Sequence, residues 1–220
     1  MDISADQVRV ALFSVIAFVV SVSVHEFGHA FVADRLGDRI PRLQGRLTLS
    51  PLAHVDPVGT LAVPLFGVLA GLPLIAWGKP VQTNPANYTR RLPMTTGHML
   101  VAAAGPFMNL VLAVLVSIAI VALGKAGVLS LAVEEAMVRY VLWLNIVLLF
   151  FNLIPVGPLD GAAVLAGLIP GARRFHELNR KYGMLVLMVL FFSPAMRIVM
   201  APVYSFAAGW VSLLNRLVPA

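Results

Sequence analysis

The sequence predicts an all-α polytopic membrane protein: a core of three transmembrane helices, a re-entrant segment, a short β-like loop and one or two C-terminal helices. Three observations lead there. Hydrophobic residues make up 60% of the 220 and charged residues only 12%, about half the quarter that is usual in a soluble domain; lipid is the natural solvent for such a chain. The apolar residues fall in long runs separated by short basic clusters, so the net charge of +6 reads as the positive-inside rule. No basic–aromatic pattern suggests nucleic acid. Finally, prolines and glycines interrupt some of these runs and not others, which marks broken or re-entrant helices.

The first apolar run extends from about Val8 to Ala33 and is expected to be retained, because no secretory cleavage pattern precedes it. The polar stretch 34–56 follows, carrying Arg35, Arg39, Arg42 and Arg46, and the alternation in Arg42–Leu49 suggests a short strand or hairpin. Segment two, Pro57–Trp77, is apolar but contains Pro64, Gly67, Gly71 and Pro73. A basic loop, Gly78–Pro93, leads to segment three, about Met94–Leu123. Segment four runs from about Met137 to Leu153, breaks at Pro155-Val156-Gly157-Pro158 and resumes over Leu159–Ile169. A basic loop holding Arg173, Arg174, Arg180 and Lys181 precedes the last apolar stretch, Tyr182–Val218, which Pro194 and Pro202 divide into one kinked helix or two short ones.

The basic loops after segments one, two and four belong in the cytoplasm, and the slightly acidic loop with Glu134 and Glu135 outside. Segment two then starts and ends on the same side. The expected location is the plasma or inner membrane, crossed several times, with the whole chain forming a single domain: a core of about 8–170 and a C-terminal helical part of about 182–218.

The chain has no cysteine, so thiolate metal sites and cysteine nucleophiles are excluded; a metal must be held by His, Asp or Glu. His25-Glu26-Phe27-Gly28-His29 is an H-E-x-x-H motif. On a helix the two histidines share one face and both can bind one ion, with Glu26 beside them as general base. Ionisable groups at membrane depth cost roughly 2.5–3.5 kcal/mol each, and a bound cation offsets that for Glu26. Catalytic zinc takes three protein ligands and keeps one position open. Asp160 is the best third candidate, and it also reads as the N-cap of the helix that follows. Topology brings it to the same cytoplasmic depth as His25 and His29.

These residues resemble the site-2 protease family of intramembrane zinc metalloproteases, in its small prokaryotic form without a PDZ or CBS domain. The likeness rests on the H-E-x-x-H motif, on Asn152-Leu153-Ile154-Pro155-Val156-Gly157-Pro158-Leu159-Asp160-Gly161, which looks like the family's N-x-x-P-x-x-x-L-D-G element, and on Gly105-Pro106-Phe107-Met108-Asn109, which looks like its G-P-x-x-N element. It covers roughly residues 10–170. It implies one Zn2+ per chain held by His25, His29 and Asp160, with Glu26 as the general base. It also implies that Asn152 acts at the site on the substrate strand or oxyanion, a role that stands beside simple helix packing. Asn109 reads as a packing residue.

The implied substrate is a transmembrane helix of another membrane protein, which must unwind before its carbonyls are accessible. The stretch Arg42, Leu43, Gln44, Gly45, Arg46, Leu47 is a candidate for pairing with it by β-addition. His54 and Asp56 are accessory candidates, at the entrance, on a second metal or against the active-site water, or they form a turn before Pro57. A transporter or metal-handling protein, which also places His and Asp on broken membrane helices, is the rival reading.

Overall fold

The computed structural model describes residues 5–69, 76–169, 171 and 173–217. Ala5–Arg35 contains no proline and only Gly28, and nothing stops it winding into one 31-residue helix, α1. At 1.5 Å per residue this spans about 46 Å. Two hydroxyls in its apolar middle are turned back on the backbone, Ser21 Oγ to Ala17 O (2.7 Å) and Ser23 Oγ to Val19 O (2.6 Å), so neither stays unsatisfied away from water.

After a turn at Gly37 (φ +110°) comes α2, Ile40–Leu43. The expected strand over Arg42–Leu49 is not there. Pro41 sits in the first turn of α2, and Gly45 at φ +67° stops it; proline at the start and glycine past the end are stronger helix signals than a few alternating residues are for a strand. The rest of the stretch is turn and irregular chain, and no strand occurs among the described residues.

Asp56 opens the second apolar segment as a helix cap, its Oδ1 accepting from Val58 N (3.0 Å) and Gly59 N (2.7 Å). A wide π-type stretch, Pro57–Ala62, continues into α3, Val63–Leu69. The chain then returns to where it started. Trp77 N donates to Gly59 O (3.1 Å), Thr60 Oγ1 donates to Trp77 O (2.7 Å) and Lys79 N donates to His54 O (2.9 Å). Segment two thus begins and ends side by side, as a re-entrant segment requires; its residues 70–75 lie outside the described residues.

Helix α4, Met94–Lys125, carries Pro106 inside it. Segment four starts earlier than its apolar residues suggest: α5, Leu131–Ala136, a π-type stretch, Met137–Leu142, and α6, Trp143–Asn152, follow one another without a break. Helix α7 is Asp160–Leu168. The basic residues expected in a loop lie instead in the first turns of α8, Arg173–Phe192; no proline stands between them and Phe192, so charge alone does not end the helix. Ser193-Pro194 ends it, and α9, Ala195–Leu217, absorbs Pro202. The C-terminal part is therefore two helices.

Among the described residues, three helices are long and apolar enough to cross a membrane: Val8–Arg35, Met94–Lys125 and Ala195–Leu217. One core cluster joins α4, α6 and α9 through Ala113, Leu142, Ile146, Met200, Val203, Ala207 and Leu214. A smaller one, Ala33, Tyr88 and Val101, ties the end of α1 to α4 and to the preceding loop. These packings hold the end of α1, the first half of α4 and the α6–α7 corner together.

Candidate active site

The α6–α7 corner is built by its own sequence. Pro155 and Pro158 prevent α6 from continuing, and the chain re-enters helix at Asp160. Helix α7 starts hard against the end of α6: a Cβ on Gly161 would overlap the carbonyls of Leu153 and Ile154. Only glycine fits behind Asp160, which explains the L-D-G sequence in packing terms. The carboxylate is thereby aimed at α1.

It meets the two histidines there. Asp160 Oδ2 lies 3.2 Å from His25 Nε2 and 3.4 Å from His29 Nε2, and the two Nε2 atoms are 3.0 Å apart. All three donor atoms fall within 4.8 Å of one another. His25 is 8% exposed, and Asp160 Oδ2 is buried without a hydrogen bond.

The outer nitrogens fix the imidazole tautomers. His29 Nδ1 lies 2.7 Å from Val101 O, an obligate acceptor, so Nδ1 carries the proton. His25 Nδ1 lies 2.7 Å from Asn109 Oδ1 and donates likewise. A neutral imidazole protonated at Nδ1 presents a lone pair at Nε2, and both Nε2 atoms converge with a carboxylate oxygen on one point. A bound metal cation satisfies all three of these donor atoms at once. Two imidazole nitrogens and one carboxylate oxygen with an open side match the donor set of a catalytic zinc site.

Helix α4 makes room for the rings. A Cβ at Gly105 would lie 2.6 Å from His25 Cε1 and nearer still to the His29 ring. Pro106 has no N–H for the Ala102 carbonyl and loosens this turn, beside the Val101 carbonyl that His29 uses. Asn109 supplies the acceptor for His25. The G-P-x-x-N element is therefore the outer wall of the site, and Asn109, which the sequence suggested as a packing residue, is hydrogen-bonded to a candidate ligand.

A cavity of about 630 Å3 opens beside the cluster. Glu26, Asn152 and His98 line it, together with Pro80, Val81 and Thr83 from the loop between segments two and three. Val81 N donates to Glu26 Oε2 at 2.8 Å. Asn152 Nδ2 donates to Leu148 O (3.0 Å), which leaves its carbonyl and second N–H for the cavity.

The other candidates lie elsewhere. His54 is buried with Nε2 2.8 Å from Thr48 O, and Asp56 is the helix cap described above; neither is among the cavity's lining residues. Arg42 pairs with Asp34 (2.7 Å). Gln44 Nε2 donates to Gln82 Oε1 (2.8 Å), and buried Arg46 donates to the carbonyls of Ala53 and Lys79. These residues fasten the loops around the site, and Leu43, at 83% exposure, faces out.

Comparison with known proteins points to a zinc metalloprotease family. The family model for peptidase family M50 matches residues 13–136 and 125–194. The chain belongs to peptidase family M50. This M50 peptidase is 35% identical over 206 residues to the "Putative zinc metalloprotease YwhC" of Bacillus subtilis, covering 91% of this chain and 89% of the relative. It is 36% identical over 182 residues to the "Putative zinc metalloprotease Rip2" of Mycobacterium tuberculosis (81% of this chain, 66% of the relative) and 32% identical over 205 residues to that of Mycolicibacterium smegmatis (88% and 74%). No solved structure matches the chain significantly. The M50 chain is thus a membrane-embedded zinc metalloprotease by family, all-helical in fold.

Sequence reasoning passed over Val81, which has no chemical signature, because its contribution is a backbone N–H. Asn109 and Asn145 carried a usable signal: each is a strongly polar side chain inside an apolar span.

Proposed function

We propose that this M50 peptidase hydrolyses peptide bonds in or near transmembrane helices of other membrane proteins, in regulated intramembrane proteolysis, with one Zn2+ held by His25, His29 and Asp160 at the cytoplasmic side. The observation that carries the reading is the convergence of two histidine Nε2 atoms and Asp160 Oδ2 within 4.8 Å, below the end of a membrane-length helix. The basic clusters of 34–56, 78–93 and 171–181 favour the cytoplasm for this end.

Bound zinc supplies Lewis acidity and a water acidic enough to attack at neutral pH. The chain supplies the rest. Glu26 is the general base: Val81 N–H holds its Oε2, and Oε1 takes the water's proton and delivers it to the leaving amine. Asn152 steadies the substrate strand or the developing oxyanion. Pro80, Val81 and Thr83 border the cavity, whereas none of Arg42–Leu47 does. The cavity-side loop is therefore the better surface for an unwound substrate segment to add to.

The test is metal analysis and proteolysis on purified protein. Wild type should hold close to one zinc, Asp160→Ala should lose it, and Glu26→Gln should keep it while cleaving no membrane substrate. A wild-type chain without zinc, or a Glu26→Gln variant that still cleaves, would refute the proposal. Altered ion flux in Glu26→Gln with no protease activity in wild type would favour the transporter.

A further inference from the structure

Behind the candidate ligands lies a second, wholly buried set of polar side chains. Ser21, Asn109 and Asn145 come from α1, α4 and α6, and each is 0% exposed. They are bonded in one direction only. Asn145 Nδ2 lies 2.8 Å from Val141 O, which can only accept, so the atom facing it is the nitrogen. The same nitrogen donates to Ser21 Oγ (2.8 Å), whose own proton goes to Ala17 O (2.7 Å). Asn145 Oδ1 therefore points the other way and accepts from Asn109 Nδ2 (2.8 Å). The same Nδ2 lies 3.4 Å from Ser21 O, another obligate acceptor. With its nitrogen so occupied, Asn109 can show His25 only its oxygen.

We infer that Asn145 is a positioning residue for the metal centre: through Asn109 it holds His25 in the tautomer whose Nε2 carries no proton. It touches neither ion nor substrate. Two backbone carbonyls, Val141 O in the π-type stretch before α6 and Ser21 O on α1, anchor the relay, so its direction follows from groups that cannot be reversed. Asparagine side chains flip at little intrinsic cost. If Asn145 is lost, only the long 3.4 Å contact to Ser21 O still holds the amide nitrogen of Asn109; Asn109 can then turn that nitrogen to His25, which must accept at Nδ1 and carry its proton on Nε2. That form cannot bind zinc without a proton rearrangement. Outer partners of metal-bound histidines are commonly worth about 10- to 100-fold in metal affinity.

The inference rests on the proposal that His25 is a zinc ligand, and the experiment separates the two. Zinc affinity is measured by chelator competition on wild type, Asn145→Leu, Asn109→Asp and the double variant, with thermal unfolding of the apo proteins as the check on folding. A carboxylate at 109 has no donor to offer His25, so it fixes the tautomer without help. It also faces Asn145 Oδ1, acceptor to acceptor, a repulsion that leucine removes. Asn145→Leu should weaken zinc about 10-fold in the wild-type background and cost nothing, or gain affinity, in the Asn109→Asp background. An equal loss in both backgrounds, or no loss in a folded Asn145→Leu protein, would overturn the inference. Should Asn145→Leu not fold, Asn145→Ser, whose hydroxyl can return its proton to Val141 O but stops short of Asn109, should lose zinc affinity likewise; wild-type affinity in that folded variant would also overturn it. A wild-type chain that holds no zinc would instead sink the underlying proposal.

Discussion

Gly105→Ala puts one methyl group where the two histidine rings meet α4. The new carbon would sit 2.6 Å from His25 Cε1, about 1 Å inside the roughly 3.5–4.0 Å at which carbon atoms pack. Neither ring can step aside without giving up its 2.7 Å bond, to Asn109 or to Val101 O. Helix α1 cannot back away easily either, since Gly28 packs against α4 so closely that a Cβ there would be 2.6 Å from Ala104 O. Overpacking by a methylene costs about 1–3 kcal/mol, and at Gly105 the strain falls on the donor atoms themselves. Zinc affinity should therefore drop about 5- to 150-fold. Chelator competition measures it, with Gly97→Ala as the control. There a Cβ would be 2.8 Å from Tyr88 Cδ2, so that variant should lose thermal stability and keep its zinc affinity. A Gly105→Ala protein with wild-type zinc affinity would refute the ring placement argued above.

Asn109→Leu removes the acceptor for His25 Nδ1 and should weaken zinc by about 10- to 100-fold, read by the same competition assay. Val81→Pro deletes the N–H that holds Glu26; zinc content should stay at wild type while kcat falls, and unchanged kcat would show that the bond does not orient the base. Buried Asp38 accepts from Ile40 N (3.2 Å), Asn84 N (2.6 Å) and Asn87 Nδ2 (2.9 Å). Asp38→Ala leaves these donors unpaired at about 1–3 kcal/mol for each one that stays buried, so limited proteolysis should nick residues 76–93 sooner, and an unchanged cleavage pattern would count against the anchoring role. Asp56→Ala removes a helix cap and should lower stability by about 0.5–2 kcal/mol in thermal unfolding, with zinc affinity unaffected.

How much of this was legible beforehand depended on whether a feature has a local cause. Membrane-length helices follow from uninterrupted apolar runs, and α1 and α4 end within a few residues of where those runs end. The break before Asp160 follows from two prolines. The H-E-x-x-H spacing guarantees a shared helix face whatever surrounds it. Misreadings arose where two local signals competed: at Arg42–Leu49 a weak alternation lost to Pro41 and Gly45, and at Arg173–Lys181 charge was mistaken for a helix end.

The sequence by itself determined that this chain lives in lipid, that its first helix carries a metal-binding face, and that a carboxylate follows a forced break near residue 160. Only the tertiary structure decided which nitrogen of each histidine looks inward, that Asn109 and Asn145 stand behind His25 rather than merely filling the bundle, and that the backbone of Val81 holds Glu26. Periodicity and breakers act through neighbours along the chain, so they can be read from it. A tautomer or a backbone donor is set by atoms 36 to 88 residues apart, and that choice exists only once the helices have packed.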